Sequence, residues 1–180
     1  MKESVSLTSR ARQVQDTIEA LDMARIQSIV AAPIDRRESL TEIYRREREG
    51  DRARLGIERS GLLLQAFFDV AEVWRLDDRA TVELLGGTST ELLASWRSSM
   101  GKARLGVEHV VRIGQVLGIY LALASLHGED HAGRHWLGQR SDLPPFFGRT
   151  PLDLMRMSDL SEGLVAVRHH VLGLIYGGWG

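Results

Sequence analysis

From Leu62 onward the apolar residues recur at helical spacing, and the stretches separate cleanly. Leu62 to Trp74 reads as an apolar helix, and Asp78 to Leu85 as a short one closed by Gly86-Gly87. Ser89 is placed to cap a third helix running through Trp96, with Glu91 and Leu92 in its first turns. Val107 to Leu126 is apolar on most sides, which predicts a central helix or one shared with a partner chain. Glu129 to Leu137 reads as a fifth helix, Leu152 to Met157 as a sixth and Gly163 to Ile175 as the last. Leu164, Val167, Val171, Leu172 and Ile175 form the stripe of that last helix. Before Leu62, Val14, Ile18, Leu21, Ile26 and Ile29 predict a helix over residues 7–31, ended by Pro33. Asp35 to Arg59 mixes arginines with acids and reads as a solvated helix and linker, or else as an arm that clasps a partner. Gly50, Gly56 and Gly61 punctuate the passage into the compact part. No period-two alternation bounded by hairpin turns stands out, so the expected fold is all-α.

One stretch interrupts the helices. Leu143 to Met155 holds three of the four prolines and two of the four phenylalanines. Pro144 and Pro145 forbid a helix through this point, and Gly148 permits a turn with positive φ. Thr150 then sits at an N-cap, Pro151 at the first helical position and Asp153 in the first turn. The stretch is a hook feeding a capped helix. Phe146 and Phe147 are expected in the core.

Composition narrows the function. With a net charge of -1 and a pI near 6.6, the chain does not look like a wholesale phosphate binder. The absence of cysteine removes disulfides and thiolate chemistry, which suits a reducing cytoplasm. Met1 to Ser6 lacks an apolar h-region, and Val107 to Leu126 carries Glu108, His109, Arg112 and Gln115. The expectation is a soluble, cytoplasmic protein without a membrane span.

Candidate chemistry is thin. His127, His131 and His135 fall at i, i+4 and i+8, but no glutamate stands at the general-base position of H-E-x-x-H. Exposed or capping histidines are the plainer reading, and no metal is expected. Trp136 reads as core, and His169 and His170 fall on different faces of the last helix. No serine has a nucleophile-elbow context, no glycine pair sits between a strand and a helix, and no carboxylate pair is marked by position. The chain is expected to be no enzyme and to hold no cofactor. The short helix, the glycine turn and the Ser89 helix have helix-turn-helix proportions. Ser89, Thr90, Arg97, Lys102 and Arg104 would face DNA, a reading head with few cations. Tyr176-Gly177-Gly178-Trp179-Gly180 detaches a large aromatic from the last helix, which suits an interface anchor.

Ala132 with Trp136-Leu137, then Phe147-Gly148-Arg149-Thr150-Pro151-Leu152-Asp153-Leu154-Met155, then Gly163-Leu164, Val167-Arg168, Leu172 and Gly177-Gly178 together resemble the antitoxins of the Xre/MbcA/ParS type, partners of RES-domain toxins. The likeness is good over residues 128–180 and looser over the preceding helices, and residues 1–60 match nothing in it. It departs at Phe147, where the family signature carries glycine, and in a reading helix poor in basic residues. The resemblance implies a non-catalytic, homodimeric antitoxin of a type II toxin–antitoxin system. Such a protein silences an NAD-degrading or ADP-ribosylating toxin by covering its NAD site. It also implies a hetero-oligomeric complex that can bind operator DNA. The implied organisation is a helical extension and charged linker over 1–60, a helix-turn-helix dimerisation domain over 61–127 and a toxin-binding domain over 128–180. Arg149, Arg168, Tyr176, Gly177, Gly178, Trp179 and Gly180 are the candidate toxin contacts. The alternative is a helix-turn-helix transcriptional regulator without a toxin partner.

Overall fold

The computed structural model describes residues 12–13, 16–17, 57–128, 133–157 and 162–177. The expected helix over 7–31, beyond those four positions, and the charged stretch to residue 56 lie outside the described residues. So do His131, Ala132, Gly178, Trp179 and Gly180. The remainder is all-α, with seven helices and no strand among the described residues. They are α1 (Ile57–Val73), α2 (Asp78–Leu84), α3 (Thr90–Ser98), α4 (Val107–His127), α5 (Arg134–Leu137), α6 (Pro151–Met155) and α7 (Glu162–Tyr176).

Side-chain caps set the helix starts. Asp77 accepts from the Ala80 amide at 2.7 Å and Ser89 from the Leu92 amide at 3.1 Å. Each pairs an amide that the first helical turn would otherwise leave without an acceptor. Thr150 does the same for Asp153 at 3.0 Å, with Pro151 opening α6 behind it. The left-handed turn at Gly86 and Gly87 ends α2, and α3 follows it from the Ser89 cap.

The core is built on α4. Val110, Ile113, Val116, Leu117, Ile119, Tyr120 and Leu123 are buried on it, against Leu63, Leu64, Phe67, Val70 and Trp74 of α1 and its end. Leu164, Val167 and Val171 of α7 reach the same cluster, as do Phe146, Leu154 and Met155. Residues on both sides of position 128 therefore share one hydrophobic core. By length and composition α4 could cross a membrane, yet 67% of its apolar window is buried inside this protein. Arg112, in its second turn, is fully buried and ion-paired to Glu108 at 3.3 Å.

Three local expectations are corrected. Gly61 does not interrupt the chain: it lies inside α1, where a Cβ would come 3.1 Å from the Met100 carbonyl oxygen. Its smallness serves helix packing, not a break. The helix expected from Glu129 begins only at Arg134, after Gly133 in the left-handed conformation. His127 and His135 therefore stand on two different helices. Among the described residues no group of three ligand-type side chains converges. Phe147 is the third correction: it is 73% exposed, whereas Phe146 is 2% exposed and in the core as expected.

Candidate functional site

The C-terminal part converges on the hook. Its base is pinned by a bridge between Ser141 and Arg149, with Gly148 N–H donating to the Ser141 carbonyl at 2.8 Å. Phe146 and Phe147 both donate their amides to the Leu143 carbonyl, at 2.9 and 3.3 Å. The loop is thus closed by its own backbone, and it presents Leu143 and Phe147 to solvent. Phe147 holds φ at +47°, a region that costs an L-residue with a bulky side chain roughly 1–2 kcal/mol. A glycine would hold this backbone without that steric cost.

Behind the hook, Phe146, Trp136 and His170 form an aromatic cluster. His170 stands edge-on to Phe146 with ring centroids 4.8 Å apart and stacks on Trp136 at 6.1 Å. Burial pushes the His170 imidazole below its ordinary pKa, because the charged form loses water there. Trp136 is half-buried and packed against the core, close to the expectation for it. The cluster joins α5, the hook and α7, three segments that sequence spacing does not bring together.

Two close contacts fix α7. At Gly163 a Cβ would lie 1.9 Å from the Leu154 carbonyl oxygen, so only glycine lets α7 start against the end of α6. At Gly118 on α4 a Cβ would lie 3.1 Å from Arg168 Nε, which places the guanidinium against bare helix backbone. Arg168 Nη1 donates to Gln115 Oε1 at 3.3 Å. Burial lowers the Arg168 pKa.

The other candidate contacts differ in setting. Arg149 is exposed at the base of the hook, with Nη1 3.1 Å from Met157 Sδ. Tyr176 is 80% exposed at the end of α7, and Gly177 follows with φ at +65°. Leu174, one turn beyond His170, is also exposed. Gly178, Trp179 and Gly180 are the candidates outside the described residues.

Around the α2–α3 corner, Ser89, Thr90, Lys102 and Arg104 are exposed. Arg97 is not idle: it donates to Asp78 Oδ1 at 2.6 Å and lies 5.4 Å over the Phe68 ring. Hydrogen bonds from its own backbone amide and from Ser89 and Thr90 hold the Glu91 carboxyl below its usual range. That keeps a negative charge at the start of α3, where DNA phosphates would have to approach. The two halves are tied by Arg156 of the α6 end, which donates to Glu83 on α2. That bond, with a second from Arg79, holds the Glu83 carboxyl below its ordinary pKa.

Sequence reasoning missed Gln115, Gly118, Glu83 and the exposure of Phe147. Only the glycine-to-phenylalanine departure at Phe147 carried a readable signal. The partners of the rest lie dozens of residues away along the chain.

No family model matches the chain, and no solved structure does. Among curated proteins it is 30% identical over 92 residues to the uncharacterized protein y4oB of Sinorhizobium fredii. The aligned part is 51% of this chain and 68% of that protein. The chain belongs to the same family as the uncharacterized protein y4oB.

Proposed function

We propose that this protein is a cytoplasmic antitoxin of a type II toxin–antitoxin system. It binds a RES-domain toxin that uses NAD and covers the NAD site with its C-terminal segment. It performs no catalysis itself and works as a homodimer within a hetero-oligomeric complex. The observation that carries the reading is the stretch Phe147 to Met155. Its residues resemble the antitoxin signature, and they form a closed hook, a Thr150-Pro151 cap and a helix seated on α7. A left-handed backbone at Phe147, where the signature has glycine, supports the match at the one position where it departs. Exposed Leu143, Phe147, Leu174 and Tyr176 supply apolar surface on the hook and the last helix. Arg149 and Arg168 supply the cations, and Gly177, Gly178, Trp179 and Gly180 follow the last helix in sequence.

A neutralising complex of this kind should bury about 1,600 Å². Losing one aromatic anchor should cost about 2 kcal/mol, close to a thirty-fold weakening. The test is a pull-down from the native host with the partner identified by mass, then the same experiment with residues 177–180 deleted. A RES-domain protein retained by the full chain and released by the deletion supports the proposal. Undiminished capture by the truncated chain would remove the tail from the mechanism.

Operator binding is proposed as a secondary activity, carried by exposed Ser89, Thr90, Lys102 and Arg104. Arg97 contributes least to it, because Asp78 and Phe68 already hold its guanidinium. Salt-dependent binding to its own promoter, in the absence of any RES-domain partner, would favour the plain regulator instead.

A further inference from the structure

Arg168 does not stand out from α7 into water, as a long cationic side chain on an amphipathic helix ordinarily would. It crosses onto α4. Nη1 donates to Gln115, itself only 4% exposed, and Nε is sealed from solvent with no hydrogen-bond partner. Gly118 leaves the room for this: an added Cβ would sit 3.1 Å from Nε and 3.5 Å from Cζ. Among the described residues no carboxylate pairs with Arg168. Neither an acid nor another cation acts on it, and burial alone moves its pKa. The contrast with Arg112 is direct, since that buried guanidinium has Glu108. A half-desolvated cation with one neutral acceptor is costly to keep, and a carboxylate would offset that cost.

We propose that Gln115 and Gly118 are positioning residues that hold Arg168 ready on the α4–α7 seam to take one acidic side chain from the protein this chain binds. The identity of that protein rests on the antitoxin reading, whereas the carboxylate chemistry rests on the seat itself. A single guanidinium with no second charge beside it matches one carboxylate better than a phosphate, which gathers several donors. Holding the side chain beforehand removes the ordering cost of one long side chain, worth roughly threefold to tenfold in affinity.

The first test uses the full chain alone. The Nε–H resonance of Arg168, identified by its absence in Arg168→Lys, is followed during addition of sodium acetate and of sodium chloride at equal ionic strength. Acetate should move it saturably and chloride should not, and Gly118→Ala should abolish the effect. Equal responses to the two salts overturn the proposal. So does a response to sodium phosphate without one to acetate, which would assign the seat to a nucleic-acid backbone.

The second test measures Kd for the RES-domain partner. Arg168→Met should weaken binding on the order of a hundredfold and flatten its salt dependence. Gln115→Met, measured where the variant is fully folded because losing the acceptor also lowers its stability, should weaken it roughly threefold to tenfold. Arg168→Lys, which keeps the charge without the fork, should recover only part of the loss. An unchanged Kd in Arg168→Met overturns the proposal. If no RES-domain protein binds the full chain, the antitoxin reading fails, and the acetate titration still decides the carboxylate seat.

Discussion

The α2–α3 corner and the hook with α7 each offer arginines that residue patterns assign to a partner, but the fold uses them in opposite ways. Arg97 is consumed at home, between Asp78 and the face of Phe68. Arg168 is drawn onto α4 with only the Gln115 amide to answer it. The same division holds for large apolar side chains. Trp96 is buried beneath α3, whereas the hook closes its own backbone bonds and leaves Leu143 and Phe147 outside. Similar residues thus carry different meanings. What distinguishes them is whether the rest of the fold has satisfied them.

The strongest way to break this contrast is Gly163→Ala. A methyl group there meets the Leu154 carbonyl oxygen, which is backbone and cannot swing aside. Overpacking of this kind should cost about 3 kcal/mol. Urea unfolding should show the loss, and a midpoint shift equivalent to under 1 kcal/mol would mean that α6 and α7 meet less closely than described here.

Arg97→Ala should cost about 1 kcal/mol, the sum of an exposed ion pair and a cation–π contact. Its partner in the comparison, Arg168→Met, should be nearly neutral or stabilising in the isolated protein, because it removes an uncompensated cation. If both substitutions destabilise equally, the two regions do not differ as argued.

Phe147→Gly sharpens the comparison from the other side. Relief of the left-handed backbone, less the entropy of a glycine in the unfolded chain, should stabilise the protein by about 0.5–1 kcal/mol. The same variant should weaken partner binding if the exposed ring is an interface residue. Stabilisation without any loss of binding would leave Phe147 without a role.

The smallest effect is a pH dependence at the aromatic cluster. The folded pKa of His170 lies below its unfolded value of about 6.5, so the unfolded chain binds the proton more tightly. That contribution is fully present above the unfolded pKa and is lost as pH falls from about 6.5 toward the lower folded value. Urea midpoints at successive pH values should fall more in wild type than in His170→Phe. Parallel curves would contradict the placement of His170 against Phe146 and Trp136.

Much of this was legible along the chain. Ser89 and the Thr150-Pro151 pair announced their helices because capping is local chemistry within three residues, and both caps have the expected bonds. The stripe of α7 and the burial of α4 followed from periodicity. What escaped was decided by distance in sequence. Arg168 and Gln115 are 53 positions apart, and Arg156 and Glu83 are 73 apart, so neither pair leaves a local trace. Glycine misled once. Gly61 looks like a break, yet it sits in α1 and serves a close approach to the Met100 backbone.

The central proposal is that the C-terminal face silences an NAD-consuming partner. The direct measurement is the NAD⁺ content of cells expressing a RES-domain protein captured by this chain in the pull-down, alone, with the full chain, and with the chain lacking residues 177–180. The account predicts a depleted pool with the toxin alone, restoration by the full chain and little restoration by the truncated one. A pool that stays depleted in the presence of the full chain would contradict it.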